Sequence, residues 1–191
     1  ATLVTAIDRI TAERESARLA GLLWADRHHF VRTLTSIPDA VRTTSADDGS
    51  RWILSDAGDN PGGGGRGTST DLLRALIDAR TDNVLYGLFI DPDLAEEAVA
   101  AGIGARIAAR FLRRGSDGFG EPFSAAADVV ALSDGRVLGR RGLVAGRQVD
   151  LGLTAALRIG GVTVVVASNR KQCADPVYFE HLGFDPGRFR A

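Results

Sequence analysis

A run of four consecutive glycines constrains this chain more than any other feature of its sequence. The run consists of Gly62, Gly63, Gly64 and Gly65. Glycine loses more backbone freedom on folding than any other residue, so this run indicates positive φ angles or a ligand lying against the main chain. Asp59 and Asn60 precede the run, and a helical pattern begins soon after it, near Ser69. Because bare amides at the start of a helix favour negative charge, we predict that this loop binds an anionic or carbonyl-bearing group.

The first half of the chain alternates strand and helix patterns. Residues 51–55 form a short apolar segment that predicts a strand, and residues 69–80 follow the glycines with helical spacing. The continuous apolar run at residues 84–90 predicts a strand that is covered on both faces. Asp91 and Pro92 then supply the start of a helix that Gly102 ends. This order predicts parallel strands joined by crossovers.

The second half of the chain has the turns of antiparallel hairpins. Asp134-Gly135 and Gly160-Gly161 each stand between apolar segments, as two-residue hairpin turns do. Near the N-terminus, residues 3–24 predict a long helix, and a second helix begins near Ser36. We therefore predict an α/β fold with a mixed sheet, with a parallel βαβ-type first half and antiparallel hairpins in the second half. A single domain covers residues 1–191 in this prediction.

Composition excludes several classes of function. A formal net charge of -1 over 191 residues, with no basic run, argues against binding to nucleic acid. No apolar run approaches the ~20 residues that span a bilayer, so we predict no membrane association. Cys173 is the sole cysteine, which rules out an internal disulfide, and the N-terminus lacks the features of a secretory signal. We therefore predict a cytoplasmic protein.

The glycine run also matches two phosphate-binding patterns, but weakly. Gly62, Gly64 and Gly67 fit the dinucleotide spacing G-x-G-x-x-G, which such a glycine-rich run produces almost automatically. Thr68 stands where the lysine of a P-loop would be, and the acidic residues near the loop would repel a phosphate. A non-catalytic nucleotide- or phosphate-binding module stays open as an alternative function. A loop without a ligand, in a structural domain that supports oligomer contacts, stays open as well.

A second group of polar residues follows the predicted strand at residues 162–167. Arg170 could pair with a carboxylate through its planar guanidinium, and Gln172 could hold an amide. Ligands bind at the carboxyl ends of strands in open α/β sheets, although a solvated loop explains these residues equally well. The three histidines and one cysteine show no spacing typical of a zinc site, and spacing alone assigns no catalytic residue.

Several motifs together resemble the C-terminal region of the MlrC family. The longest is Asp59-Asn60-Pro61 followed by the four glycines. The others, in chain order, are Leu72-Leu73-Arg74-Ala75-Leu76, Asp91-Pro92, Ala101-Gly102-Ile103-Gly104, Gly152-x-Thr154-Ala155, Leu157-Arg158-Ile159-Gly160-Gly161-Val162, and Gln172 before Asp175-Pro176. The first motif is unusual enough to be specific, and the order of the others adds to it.

This resemblance implies a zinc-dependent metallopeptidase or amide hydrolase that acts on small or linearised peptides. It implies that the chain is the C-terminal part of a longer two-domain protein, whose N-terminal domain holds the zinc and is the partner of this half. The substrate-binding residues are then Asp59, Asn60, Gly62, Gly63, Gly64, Gly65, Arg170 and Gln172. The loop containing the glycines binds substrate or closes the site, and a homo-oligomer is compatible with this arrangement.

Overall fold

The computed structural model describes residues 4–46, 49–112 and 120–191, and the chain divides into two compact units. The first unit ends at Thr35 and contains helix α1 (Arg9–Ala25), which is followed by a short 3-10 helix at Arg27–Phe30. Asp8 caps α1, because its carboxylate accepts a hydrogen bond from the backbone N–H of Thr11 at 2.8 Å. The long helix predicted at residues 3–24 is therefore confirmed from residue 9, and residue 3 lies outside the described residues.

The second unit begins at Ser36 and contains four α-helices among its described residues. They are α2 (Ile37–Ser45), α3 (Asp71–Asp78), α4 (Pro92–Ala101) and α5 (Val177–Glu180). The Ser36 hydroxyl accepts from the N–H of Asp39 at 3.2 Å, and the Asp91 carboxylate accepts from the N–H of Leu94 at 2.9 Å. These caps, each followed by a proline in the first turn, start α2 and α4 where the sequence predicts.

The strands of the second unit form two sheets. They are β1 (Val84–Ile90), β2 (Arg106–Phe111), β3 (Phe123–Ser133), β4 (Arg136–Leu138), β5 (Gln148–Asp150), β6 (Thr154–Ile159) and β7 (Val162–Ala167). The larger sheet has the order β1-β7-β6-β3-β2, and β4 pairs with β5 in the smaller one. Only β1 and β7 pair in parallel among these described strands. The predicted α/β fold with a mixed sheet is confirmed.

The strand predicted at residues 51–55 is wrong. This segment forms no strand, and the parallel partner of β1 is β7, which comes from the far end of the chain. The C-terminal residues lie beside β1 instead, because the N–H of Leu85 donates to the carbonyl of Ala191 at 2.8 Å. The N–H of Trp52 donates in turn to the carbonyl of Arg190 at 2.8 Å. An apolar segment becomes a strand only where a partner edge is free, and the C-terminal residues take part of this one.

One of the two predicted hairpin turns is confirmed. Gly160 and Gly161 join β6 to β7, and the residues on either side of them pair as neighbours. Asp134 and Gly135 do not make a hairpin, because β4 pairs with β5 rather than with β3. Both edges of β3 are already bonded, to β2 and to β6, so the chain leaves the larger sheet at this turn.

The larger sheet has an apolar cluster on each face. On one face, buried side chains of α3 and α4 pack against the sheet, and Leu73, Leu94 and Val164 are examples. On the other face, β4, β5 and α5 cover it through residues such as Leu151 and Tyr178. The sheet is thus the middle of three layers, as in other α/β proteins. None of the described helices is both long and apolar enough to cross a lipid bilayer.

Candidate functional site

A groove of about 770 Å³ lies in the second unit, beside β1. Residues 51–56 form part of its wall, residues 84–88 of β1 form another part, and residues 171–176 contribute a third. Asp59, Asn60 and Gln172 also line it. This volume is within the range of about 300–1,000 Å³ that small-molecule sites occupy. The groove is therefore large enough for a ligand of several residues.

Asp59 organises the loop that contains the glycines. Its side chain is 9% exposed, and its two carboxylate oxygens accept three backbone hydrogen bonds. The donors are the N–H groups of Gly67 at 2.8 Å, Thr68 at 2.6 Å and Ser69 at 2.7 Å. Burial by itself would raise the pKa of the Asp59 carboxyl, but the backbone donors outweigh it and lower the pKa below its usual value. Asp59 therefore holds the chain in position just before α3.

The four glycine amides are bonded within their own loop. The side-chain oxygen of Asn60 accepts from the N–H of Gly62 at 3.0 Å, and its backbone carbonyl accepts from Gly63 at 2.9 Å and Gly65 at 2.8 Å. The N–H of Gly64 donates to the carbonyl of Pro61 at 3.2 Å. The expectation of bare amides facing a ligand is wrong, because Asn60 and the proline use these donors. The row of free donors that a phosphate cradle needs is not present at these four residues.

Gly65 is required by the close approach of the loop to itself. A Cβ atom added there would lie 2.6 Å from the backbone nitrogen of Asn60 and 2.8 Å from a carboxylate oxygen of Asp59. Asn60 and Asp59 cannot move away from an added Cβ without breaking the hydrogen bonds that they accept from the loop. At Gly63, by contrast, an added Cβ meets its nearest atom at an ordinary 3.5 Å. A side chain therefore does not fit at Gly65, whereas it fits at Gly63.

We expect Gly65→Ala to lower the free energy of unfolding by about 2 kcal/mol, because an overpacked position typically costs that much. Gly63→Ala is the matched control, and its effect should stay within about 0.5 kcal/mol. Urea unfolding of the two variants and the wild type measures the difference. Equal losses for the two variants would contradict the geometry described for this loop.

The second predicted group of polar residues contacts the first. The guanidinium of Arg170 donates to the carbonyl of Gly65 at 3.4 Å. Gln172 lies against Gly62, since a Cβ added to that glycine would come within 2.4 Å of the Gln172 side chain. Asn60 and Gln172 line the groove, whereas Arg170 and the four glycines lie next to its lining. Two segments more than 100 residues apart in the sequence thus form one polar rim.

Two residues at the groove were not identified from the sequence. Asp175 is 2% exposed, and its carboxylate accepts from the N–H groups of Arg140 and Arg141, each at 2.6 Å, and of Val177 at 3.0 Å. Tyr86 lines the groove, and burial together with nearby carboxylates raises its pKa. The signal for Tyr86 was its single hydroxyl within an otherwise apolar strand. The sequence indicated Asp175 only as part of the motif Asp175-Pro176, and its bonds to Arg140 and Arg141 gave no local signal because those donors are more than 30 residues away.

The described residues hold no metal cluster. No group of three or more histidine, cysteine, aspartate and glutamate side chains among them is placed to bind a metal ion. His29 instead lies 2.7 Å from the Asp26 carboxylate at the surface, and the ring of His181 is 3.0 Å from the carbonyl of Val177. The donor set that zinc requires is therefore not formed by the part of the chain that the structure describes.

The same elements and motifs match a known family. A family model described as the MlrC C-terminus matches residues 54–191, which is most of the chain. The chain belongs to this MlrC C-terminal family. The resemblance indicated by the sequence motifs is thereby confirmed, and the matched region covers the Asp59 loop, most of the groove and both sheets. The match begins within the segment 51–56 that forms one wall of the groove.

Two relatives of this MlrC C-terminal chain show how much of a longer protein it covers. Microcystinase C from Sphingomonas sp. is 28% identical over 138 residues, which cover 72% of this chain and 26% of that protein. The chain thus spans about a quarter of that relative's length. A crystal structure of a candidate metallopeptidase from Mesorhizobium sp. BNC1 has the same fold, with a TM-score of 0.78 at 24% identity, over 91% of this chain and 35% of the other.

Proposed function

We propose that this chain is the C-terminal half of an MlrC-type, zinc-dependent metallopeptidase or amide hydrolase that acts on small or linearised peptides. The observation that carries the proposal is the polar rim, where Asn60 and Gln172 line one groove and Arg170 joins the two loops. The family membership and the name of the Sphingomonas relative support peptide hydrolysis as the reaction of the whole protein. In this proposal, residues 1–191 are one domain of a longer chain that has two domains.

In this proposal the residues of the rim bind and orient substrate. The Gln172 amide donates to a substrate carbonyl and accepts from a substrate N–H, since it carries both kinds of group. Asn60 adds a second amide at the same groove, and Arg170 fixes the loop through the carbonyl of Gly65. Asp59 acts indirectly, because its carboxylate is already used by three backbone donors. The loop of the four glycines closes one side of the site.

Zinc does not fit the described residues of this chain, which offer no metal cluster. We therefore propose that the metal is held by an N-terminal metal-binding domain of the same protein, and that this half contributes substrate binding alone. We further propose that the protein is cytoplasmic and that it can form homo-oligomers. Metal analysis tests the division of labour directly. Stoichiometric zinc bound by residues 1–191 alone would contradict it.

We expect Gln172→Ala in the full-length protein to raise KM for a short linear peptide about tenfold and to change kcat by less than about twofold. Loss of one hydrogen bond that is made equally in the ground state and the transition state has this effect. Gln148→Ala is the matched control, because Gln148 is exposed on β5 and does not line the groove. Steady-state kinetics on the two variants check the prediction. An unchanged KM for Gln172→Ala would remove this residue from the substrate site.

A further inference from the structure

The outer edge of β1 is open over its middle. The N–H of Leu85 donates to the carbonyl of Ala191 and the N–H of Ile90 donates to the carbonyl of Gly67, both at 2.8 Å. Between these two bonds, no backbone hydrogen bond joins the side of β1 facing away from β7 to any residue that the structure describes. The register between β1 and β7 also shifts between Tyr86 and Phe89, which leaves the residues between them without partners in β7. This stretch presents unpaired backbone groups to the groove.

The C-terminal residues lie beside the outer edge of β1, since Arg190 donates to the carbonyl of Asn83 and Ala191 accepts from Leu85. The segment at residues 51–55, which has the sequence of a strand, lies on their far side. Residues 51–55 are apolar enough to predict a strand, yet they form none. Ile53 is 98% exposed, and the backbone of Trp52 bonds only as far as Arg190. The groove therefore separates an open strand edge from a strand-like segment. The C-terminal residues take the strand position beside residues 83–85 and continue along the free edge as far as Ala191, and the edge beyond them is open to a continuation of the chain or to a ligand.

We propose that the groove takes a short linear peptide as an added strand on the outer edge of β1. This inference rests on the proposed function and specifies how its substrate is recognised. An added strand binds through main-chain hydrogen bonds, and pockets for alternate side chains contribute selectivity. Leu85 to Ile90 covers about 16 Å at ~3.3 Å per residue, which is room for about four or five peptide residues.

The lining of the groove matches such a peptide in two further respects. Leu72, Leu88 and Phe179 provide apolar surface for its side chains. Lys171 and Asp56 also line the groove, and their opposite charges match the two charged ends of a short peptide. A nucleotide would gain nothing from an open strand edge, since it has no main chain to pair with it. The recognised chemistry is thus an unstructured peptide backbone.

The test uses the full-length protein and the pentapeptide Ala-Leu-Ala-Leu-Ala, with each backbone amide N-methylated in turn. Binding is measured by calorimetry with EDTA present, so that hydrolysis does not interfere. Methylation at alternate amides should weaken Kd at least about tenfold, and methylation at the amides between them should change it less than about twofold, because strand pairing has a period of two. Equal effects at all positions, or no binding of the parent peptide because a segment of the protein itself fills the groove, would overturn the inference.

Gly87 provides the matched test on the protein side. Gly87→Ala and Gly87→Pro both add a Cβ that lies 2.9 Å from the ring of Phe179, but only proline also removes the backbone N–H. Proline should therefore weaken peptide binding at least about fivefold more than alanine, and an equal effect would count against pairing at this residue. If neither variant folds by circular dichroism, the methylation series decides. Cleavage of the peptide without an alternating pattern rejects this inference alone, whereas alternation without cleavage rejects the proposed enzymatic activity.

Discussion

Replacing Asp59 by alanine is expected to lower the free energy of unfolding by about 4 kcal/mol. The substitution removes the acceptor for three backbone N–H groups at a site that is 9% exposed. A buried donor left without a partner costs about 1–3 kcal/mol, and three of them relax only partly by moving toward water. Equilibrium unfolding in urea measures the loss. The same variant should lose the fixed geometry of the loop that precedes α3.

Asp56→Ala is the control for this prediction. Asp56 belongs to the same loop and accepts one backbone hydrogen bond, from Gly58 at 2.8 Å, but its side chain is exposed. Its removal should therefore cost less than about 1 kcal/mol, because water replaces the lost partner. Similar losses for the two variants would mean that the buried position of Asp59 contributes little.

The effect of Asp59→Ala should depend on pH in a defined direction. The pKa of Asp59 is lowered in the folded protein, with backbone donors overcoming the opposing effect of burial. A lowered folded pKa stabilises the protein above the unfolded value of about 3.9, and this stabilisation is lost as the pH falls through the folded pKa. The difference in unfolding free energy between wild type and Asp59→Ala should therefore shrink as the pH falls below about 3.9 and passes through the lowered folded pKa. A difference that is constant over this range would contradict the lowered pKa.

Replacing Phe111 by alanine should cost a further large amount, about 4 kcal/mol. Phe111 is 1% exposed, and its ring packs edge-on against Phe89 at 5.1 Å and stacks on Phe123 at 4.7 Å. The substitution removes both aromatic contacts and leaves a cavity in the cluster beneath the helices. The midpoint of urea unfolding checks this expectation.

Phe30→Ala is the matched control for Phe111→Ala. The Phe30 side chain is 64% exposed in the first unit, so its removal should change the unfolding free energy by less than about 0.5 kcal/mol. Since the two substitutions delete the same atoms, the comparison isolates burial. A small loss for Phe111→Ala would show that the aromatic cluster does not support the larger sheet.

The sequence predicted the two polar segments of the candidate site but not the contact between them. The loop around Asp59 and Asn60 and the segment at Arg170 and Gln172 were each identified from polar residues next to apolar patterns. Their contact depends on the pairing of β1 with β7. The first loop is bonded to the end of β1, where the carbonyl of Gly67 accepts from the N–H of Ile90, and Ile90 pairs with Ala167 at the end of β7, just before the second segment. No local pattern carries this information. The internal use of the glycine amides by Asn60 also depends on loop geometry that the residue types alone leave open.

The sequence by itself determined the local elements of this protein. The caps at Ser36 and Asp91, the apolar run of β1 and the turn at Gly160-Gly161 depend on neighbouring residues, and each forms where the sequence predicts. The tertiary structure alone decided which strands pair with each other. A segment joins a sheet only if the edge of another strand is free to bond with it, and an apolar sequence does not supply that edge. Competition for edges kept residues 51–55 out of the larger sheet, with Trp52 bonded to Arg190 instead, and sent the chain out of that sheet after β3. The groove beside β1 is a product of that competition.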